Sequence, residues 1–269
     1  MTILINYKYE FYPFTTASYF EMAAKALGHK IFRITDNFDP AEIDFVLNVE
    51  SIDNIIRLPN KPCLYYEIDN HIIEGRHRHF YDQVDLVLLA QPRFAEFYKD
   101  YKTAILPLAC WPEVHKPYYN ESIIYDIGFI GNDTYPYRRK LLEMLEANFR
   151  VLRTTSKPGE PYSRLLNQCK LTFNCAMRYD VNMRFFEAIA SGRMLLTDCL
   201  PEQNAFAKDG EHYVSYNCEE GLFEKVKYYL EHTKEREEIA HRGVLHIHKN
   251  HSYSNRLNEI ICLVKTLKS

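Results

Sequence analysis

The chain has 269 residues, 46% hydrophobic and 26% charged, which is enough apolar content for complete cores and too much for a disordered segment. Net charge is −3, divided as 12 basic against 16 acidic residues over 1–118 and 21 against 20 over 119–269. Neither half carries the basic excess of a nucleic-acid binder, and no apolar run reaches the ~18 residues of a membrane span.

The opening Thr2-Ile3-Leu4-Ile5-Asn6 reads as a buried strand rather than a leader, which points to a cytoplasmic protein. An aromatic loop follows at 7–14, then a helix over about 16–27. There Phe20, Ala23, Ala24 and Leu27 recur at helical spacing, and Gly28 stands at the C-cap. Short apolar runs at 31–34, 44–49, 63–68, 84–90 and 104–109, separated by helical stretches, predict a parallel sheet covered on both faces. Residues 109–122 carry Pro112 and Pro117 without periodicity and read as a linker. Alternation then restarts. Strands are expected at 124–130, 149–154, 170–175, 193–198 and 212–216, with helices at 136–147, 161–168, 182–191, 219–231, 234–249 and 253–267. Seven cysteines, an odd number without a CxxC pair, read as buried reduced thiols.

The second half holds the clearer chemistry. Its first strand runs Asp126-Ile127-Gly128-Phe129-Ile130-Gly131-Asn132 straight into a helix, and Gly131 would let backbone amides approach a ligand at that helix start. The helix puts Arg138-Arg139-Lys140 in its first turns and Glu143 and Glu146 later, the reverse of what the helix dipole favours. The helix over 182–191 repeats the inversion, with Arg184 ahead of Glu187. Two inverted helices suggest a diphosphate between them. Arg184, Glu187 and Ser191 share a face at i, i+3 and i+7, which places Glu187 to accept hydrogen bonds from a ribose. An ordinary Arg–Glu surface pair would give the same spacing.

With Arg184-Phe185-Phe186-Glu187-Ala188-Ile189-Ala190-Ser191-Gly192 and the closing His251-Ser-Tyr-Ser-Asn-Arg256, these segments resemble the spore-maturation CgeB-like glycosyltransferases, over roughly residues 120–256. The resemblance implies a GT-B-like α/β fold, two Rossmann-like parallel-sheet domains facing a central cleft. The domains would be 1–116 on the acceptor side and 117–252 on the donor side, with a helix at 253–269 returning to the first. It implies a nucleoside-diphosphate sugar as donor substrate and no separate cofactor. Donor contacts would come from Gly131, Asn132, Arg138, Asn182, Arg184, Phe185 and Glu187, and a base pocket from Arg153, Tyr162 and Asn174. Many retaining GT-B enzymes carry a second glutamate eight positions earlier; here that position is Tyr179, so retention is unsupported.

On the acceptor side, Glu67, Asp69 and His71 close a strand where α/β sheets place ligands, and one of them is a candidate base. A capping Asp beside a solvated His fits that stretch equally. His71, His77 and His79 share no helical face, and no metal site is expected. The acceptor, whether glycan, protein or small molecule, is not specified by the sequence. A second reading keeps the donor site without catalysis, as a nucleotide-binding scaffold in a surface-polysaccharide or spore-coat assembly.

Overall fold

The computed structural model describes residues 1–8, 15–49, 52–72, 78–155 and 159–268, so most of the aromatic loop 7–14 and His77 lie outside the described residues. The chain forms two compact units, one made of 1–108 with 253–269 and the other of 109–252. The division falls after Leu108 rather than after residue 116. The cause is that Cys110 donates its amide to His251 O at 3.0 Å and bridges Ser252, which ties this stretch into the second unit.

The first unit is a six-stranded sheet in the order β2-β1-β3-β4-β5-β6, every pairing parallel. Its strands are β1 (Thr2–Asn6), β2 (Lys30–Arg33), β3 (Phe45–Val49), β4 (Cys63–Glu67), β5 (Leu86–Leu89) and β6 (Thr103–Ile105). β3, β4 and β5 are buried at every position, so they read as unbroken apolar runs instead of alternating ones. The crossovers are thinner than the alternation predicts. After helix α1 (Thr16–Ala26), the described connections hold only a 3-10 turn at Pro40–Glu42, a single turn α2 (Arg78–Tyr81) and a 3-10 segment at Pro92–Tyr98. The C-terminal helix, labelled α8 below, covers α1: Tyr253 stacks on Tyr19 at 5.1 Å and meets Phe20 edge-on at 5.2 Å. Arg256 donates to Pro107 O at 2.7 Å, and Leu257, Ile260 and Val264 are buried below it.

The second unit has five parallel strands in the order β11-β10-β9-β7-β8. They are β7 (Tyr125–Ile130), β8 (Val151–Thr154), β9 (Cys169–Phe173), β10 (Met194–Asp198) and β11 (Val214–Tyr216). The helices are α3 (Pro136–Glu146), α4 (Glu160–Asn167), α5 (Met183–Ala190), α6 (Glu219–Glu231) and α7 (Thr233–Asn250), and α8 (Tyr253–Lys268) follows in the first unit. One core runs through Ile127, Phe129, Leu141, Leu171, Phe173 and Leu196. Gly128 lets β7 lie close to its neighbour, since a Cβ there would meet Cys169 Sγ at 2.7 Å. The cysteines depart from the reading as buried thiols: Cys63, Cys110, Cys169 and Cys175 are buried, while Cys199, Cys218 and Cys262 are exposed, and all are free. Cys218 sits at an N-cap, where its sulfur accepts from the Gly221 amide.

Among the described residues, no helix is long and apolar enough to cross a membrane.

Candidate functional site

In both sheets the first strand lies between the second and the third, so the chain winds one way and then the other from that point. Sheets of this order bind ligands at the carboxyl ends of the two strands flanking the reversal. In the second unit those ends are Ile130 of β7 and Phe173 of β9, followed by Gly131-Asn132 and Asn174-Cys175. Both arginines singled out by sequence arrive there.

Arg184, at the second position of α5, donates from Nε to Ile130 O at 2.9 Å and from Nη1 to Asn174 Oδ1 at 2.8 Å. Its Cζ lies 4.6 Å from the Phe129 ring centroid, over the ring. Arg138 is 6% exposed; it donates from Nε and Nη2 to Cys175 O and from Nη1 to Asn132 O at 2.6 Å. The two guanidiniums therefore lace the strand-end loops together. This answers the inverted charge order of α5: the Ile130 carbonyl at the end of β7 and the Asn174 side-chain oxygen just after β9 accept from the cation and compensate it. Of the five N–H groups on each guanidinium, Arg138 uses three and Arg184 two on these acceptors, which leaves two and three.

Gly131 serves this arrangement. Its φ is 151°, and a Cβ would lie 1.9 Å from Arg184 Nη2. Its amide donates to Thr154 O at 2.9 Å and so is committed to β8 instead of to a ligand. The Asn132 side chain accepts from the Thr134 amide at 2.8 Å. Asn182 caps α5, accepting from the Phe185 amide at 3.2 Å. Phe185 is 0% exposed and packs edge-on against Phe186 and Tyr213, in the core and away from the site. The resemblance put Phe185 among the donor contacts, but that position of the helix faces inward. Arg153 pairs with Asp133 at 2.6 Å and Glu146 at 2.9 Å.

Glu187, one turn after Arg184, is 9% exposed. Burial raises its carboxyl to about 7, against the pull of Arg184. Two neighbours define its surroundings. His115 Nε2 stands 3.2 Å from Glu187 Oε1. Tyr162 on α4, which burial and the Glu187 charge keep firmly protonated, has a buried hydroxyl without a hydrogen-bond partner. His115 escaped the sequence reading because it lies in the aperiodic stretch read as a linker. Its one signal is a position between Pro112 and Pro117. Ser191, on the same face as Glu187, exchanges a hydrogen bond with Ser163 at 2.8 Å. Tyr179 is exposed in the loop after β9, where it and Arg178 adopt positive φ of 66° and 54°. Asp180 is 8% exposed, and burial lifts its carboxyl to about 6.

The acceptor-side candidates separate. Glu67 is 0% exposed and accepts from Tyr81 Oη at 2.9 Å, a structural carboxylate inside the first unit. Strand alternation gave its face but not whether that face was dry. Asp69 is half-buried, its carboxyl raised by burial and by Glu67. His71 is 5% exposed beside Phe94.

A family model described as glycosyl transferase-like matches residues 121–261, more than half of the chain. The chain belongs to that family. Solved structures agree on the fold of this glycosyl transferase-like chain. Sucrose-phosphate synthase from Thermosynechococcus elongatus superposes with a TM-score of 0.68 at 9% identity, covering 99% of this chain and 98% of that one. Anabaena HepE in complex with UDP and glucose gives 0.64 at 10% identity, covering 99% and 100%. An alpha-glucosyltransferase in complex with UDP-glucose and DNA containing an abasic site gives 0.65 at 10% identity, covering 98% of each. The fold is that of GT-B glycosyltransferases, two parallel-sheet α/β domains. No curated protein sequence matches the chain.

Proposed function

We propose that this chain is a glycosyltransferase that takes a sugar from a nucleoside-diphosphate donor held on the second unit and passes it to a hydroxyl-bearing acceptor. The observation that carries the reading is Glu187: a buried carboxylate one helical turn from Arg184, beside the unpartnered Tyr162 hydroxyl, at the strand-order reversal. A carboxylate there accepts from a ribose diol, and the unused N–H groups of Arg138 and Arg184 face the charge of a diphosphate. HepE and the alpha-glucosyltransferase, each with a UDP ligand in its solved structure, support that donor class. The leaving diphosphate is then neutralised by side chains, without a metal. Within the family, the resemblance of the segments from Asp126 to Arg256 to the spore-maturation CgeB-like enzymes supports a surface or spore glycan or protein as acceptor and a cytoplasmic site of action.

The acceptor base is assigned to Asp69 or His71, since Glu67 is committed to Tyr81. That commitment is also the one observation favouring the scaffold reading, in which the donor site binds and nothing turns over. A thermal-shift screen with UDP, GDP, TDP and CMP, followed by incubation with the matching sugar nucleotides, tests both. One nucleoside diphosphate should raise the melting point, since a ligand at 100 times its Kd adds about 2.7 kcal/mol. Slow release of that diphosphate from its sugar nucleotide separates a transferase from a scaffold. No shift at millimolar levels from any of them ends the reading.

A further inference from the structure

His115 is 1% exposed and clamped on several sides. Its amide donates to Trp111 O at 2.8 Å, and its carbonyl accepts from His248 Nε2 at 2.8 Å. The ring lies edge-on to Tyr162, with centroids 5.7 Å apart and an interplanar angle of 82°. The Trp111 amide donates to Nδ1 at 3.0 Å, which leaves the ring proton on Nε2. That nitrogen is the one 3.2 Å from Glu187 Oε1. A phenylalanine would fill much of the same space. What histidine adds is a protonated ring nitrogen held 3.2 Å from one carboxylate oxygen.

We propose that His115 is a positioning residue for Glu187, its Nε2–H holding Oε1 so that the carboxylate stays turned toward the diol of a bound nucleotide. The proposal rests on the donor-site reading above. Each carboxylate oxygen has two lone pairs, so Oε1 keeps one for the ligand while His115 occupies the other. Arg184 faces Glu187 from the same helix and Tyr162 from α4, while His248 faces His115 from α7. Arg138 and Asp180 act on Arg184 from behind. Burial, with His248 beside it, drives His115 down to about 3, so it stays a neutral donor across the working pH range. The carboxyl it faces sits near 7, at the edge of ionisation. A donor held on the ionised form favours that form, so loss of the N–H moves Glu187 further up and leaves less carboxylate to receive a diol.

Two measurements on the full chain decide it. The first is a carboxyl-carbon NMR titration of Glu187, assigned by comparison with Glu187→Gln, in the parent, His115→Phe and His115→Gln. The midpoint should rise in His115→Phe and return toward the parent in His115→Gln, whose amide nitrogen reaches the place of Nε2. The second is a UDP titration across pH: binding to His115→Phe should weaken about tenfold near neutrality, with the loss shrinking as pH rises. An unchanged carboxyl midpoint in His115→Phe overturns the proposal and leaves the ring as filler. The carboxyl titration needs no nucleotide, so it judges His115 even where UDP fails to bind, an outcome that counts against the donor-site reading instead. Should His115→Phe not fold, nitrogen NMR of the parent ring decides: a proton on Nδ1, or a ring that titrates near the ordinary histidine range, overturns the proposal.

Discussion

Gly131→Ala separates a glycine that serves a ligand from one that serves an arginine. A methyl group at 131 would stand 1.9 Å from Arg184 Nη2 and 2.9 Å from its Cζ, at a φ of 151° that side chains rarely adopt. The guanidinium has nowhere inexpensive to go, because Nε and Nη1 are held by Ile130 O and Asn174 Oδ1 and the plane rests over Phe129. Backbone strain of this kind costs about 1–3 kcal/mol, and one displaced charged hydrogen bond about 1.5–3 kcal/mol more. The expected destabilisation is about 2.5–6 kcal/mol. Urea unfolding followed by Trp111 fluorescence reads it directly, since Trp111 is the one tryptophan in the chain and is 6% exposed in the second unit. With the slope unchanged, the loss appears as a lower midpoint. Truncating the arginine removes the clash, so Gly131→Ala with Arg184→Ala should cost about 1.5–3 kcal/mol less than the two single changes added together. The reasoning fails if Gly131→Ala unfolds within ~1 kcal/mol of the parent, or if the pair is additive. A Gly131→Ala protein of parental stability that no longer binds UDP would return the glycine to the ligand.

Glu187→Ala should weaken UDP binding by about 1.5–3 kcal/mol, tenfold to a hundredfold by calorimetry, and unchanged affinity removes the ribose contact. The raised carboxyl of Glu187 also sets a pH dependence of stability. The folded state keeps a proton up to about 7 that the unfolded chain releases near 4.5, so this group's contribution declines as pH rises through that window and stays lower above it. Glu187→Gln should therefore gain on the parent between about pH 5 and pH 8, by roughly 1–3 kcal/mol for a buried shift of that size. A flat difference across those pH values contradicts the burial argument. Tyr81→Phe strips a hydrogen bond from the 0% exposed Glu67 and should cost about 1–3 kcal/mol in urea, while UDP affinity stays at the parental value.

The strands were the most legible part of the fold. β3, β4 and β5 are dry on both faces, and such strands announce themselves as unbroken apolar runs. The positions of Arg184 and Glu187 on α5 followed from helical spacing, because a period of 3.6 fixes which residues share a face. Their partners did not follow. The acceptors of Arg184 are Ile130 O and Asn174 Oδ1, brought together only by the pairing order of β7 and β9, which no local pattern encodes. Glu67 misled for a related reason: alternation assigns a side of the sheet, and Tyr81, fourteen residues on in the crossover after β4, decides that the side is closed. His115 stood in a stretch without periodicity, where sequence offers composition and little else.

The junction at Cys110 and Ser252 bears on the order in which the chain can fold as it is made. Both ends of the second unit meet at that bridge, so 109–252 is a closed loop of chain complete in itself. The first unit is not complete when its own 108 residues have emerged, because Tyr19 and Phe20 on α1 await Tyr253, Leu257 and Ile260 from the far end of the chain. During synthesis the later unit therefore finishes first, and the earlier one waits with an apolar helix face exposed for the time needed to add about 145 residues, seconds to tens of seconds at ordinary elongation rates. A protein truncated after residue 252 would keep a protease-resistant second unit beside a first unit open to cleavage.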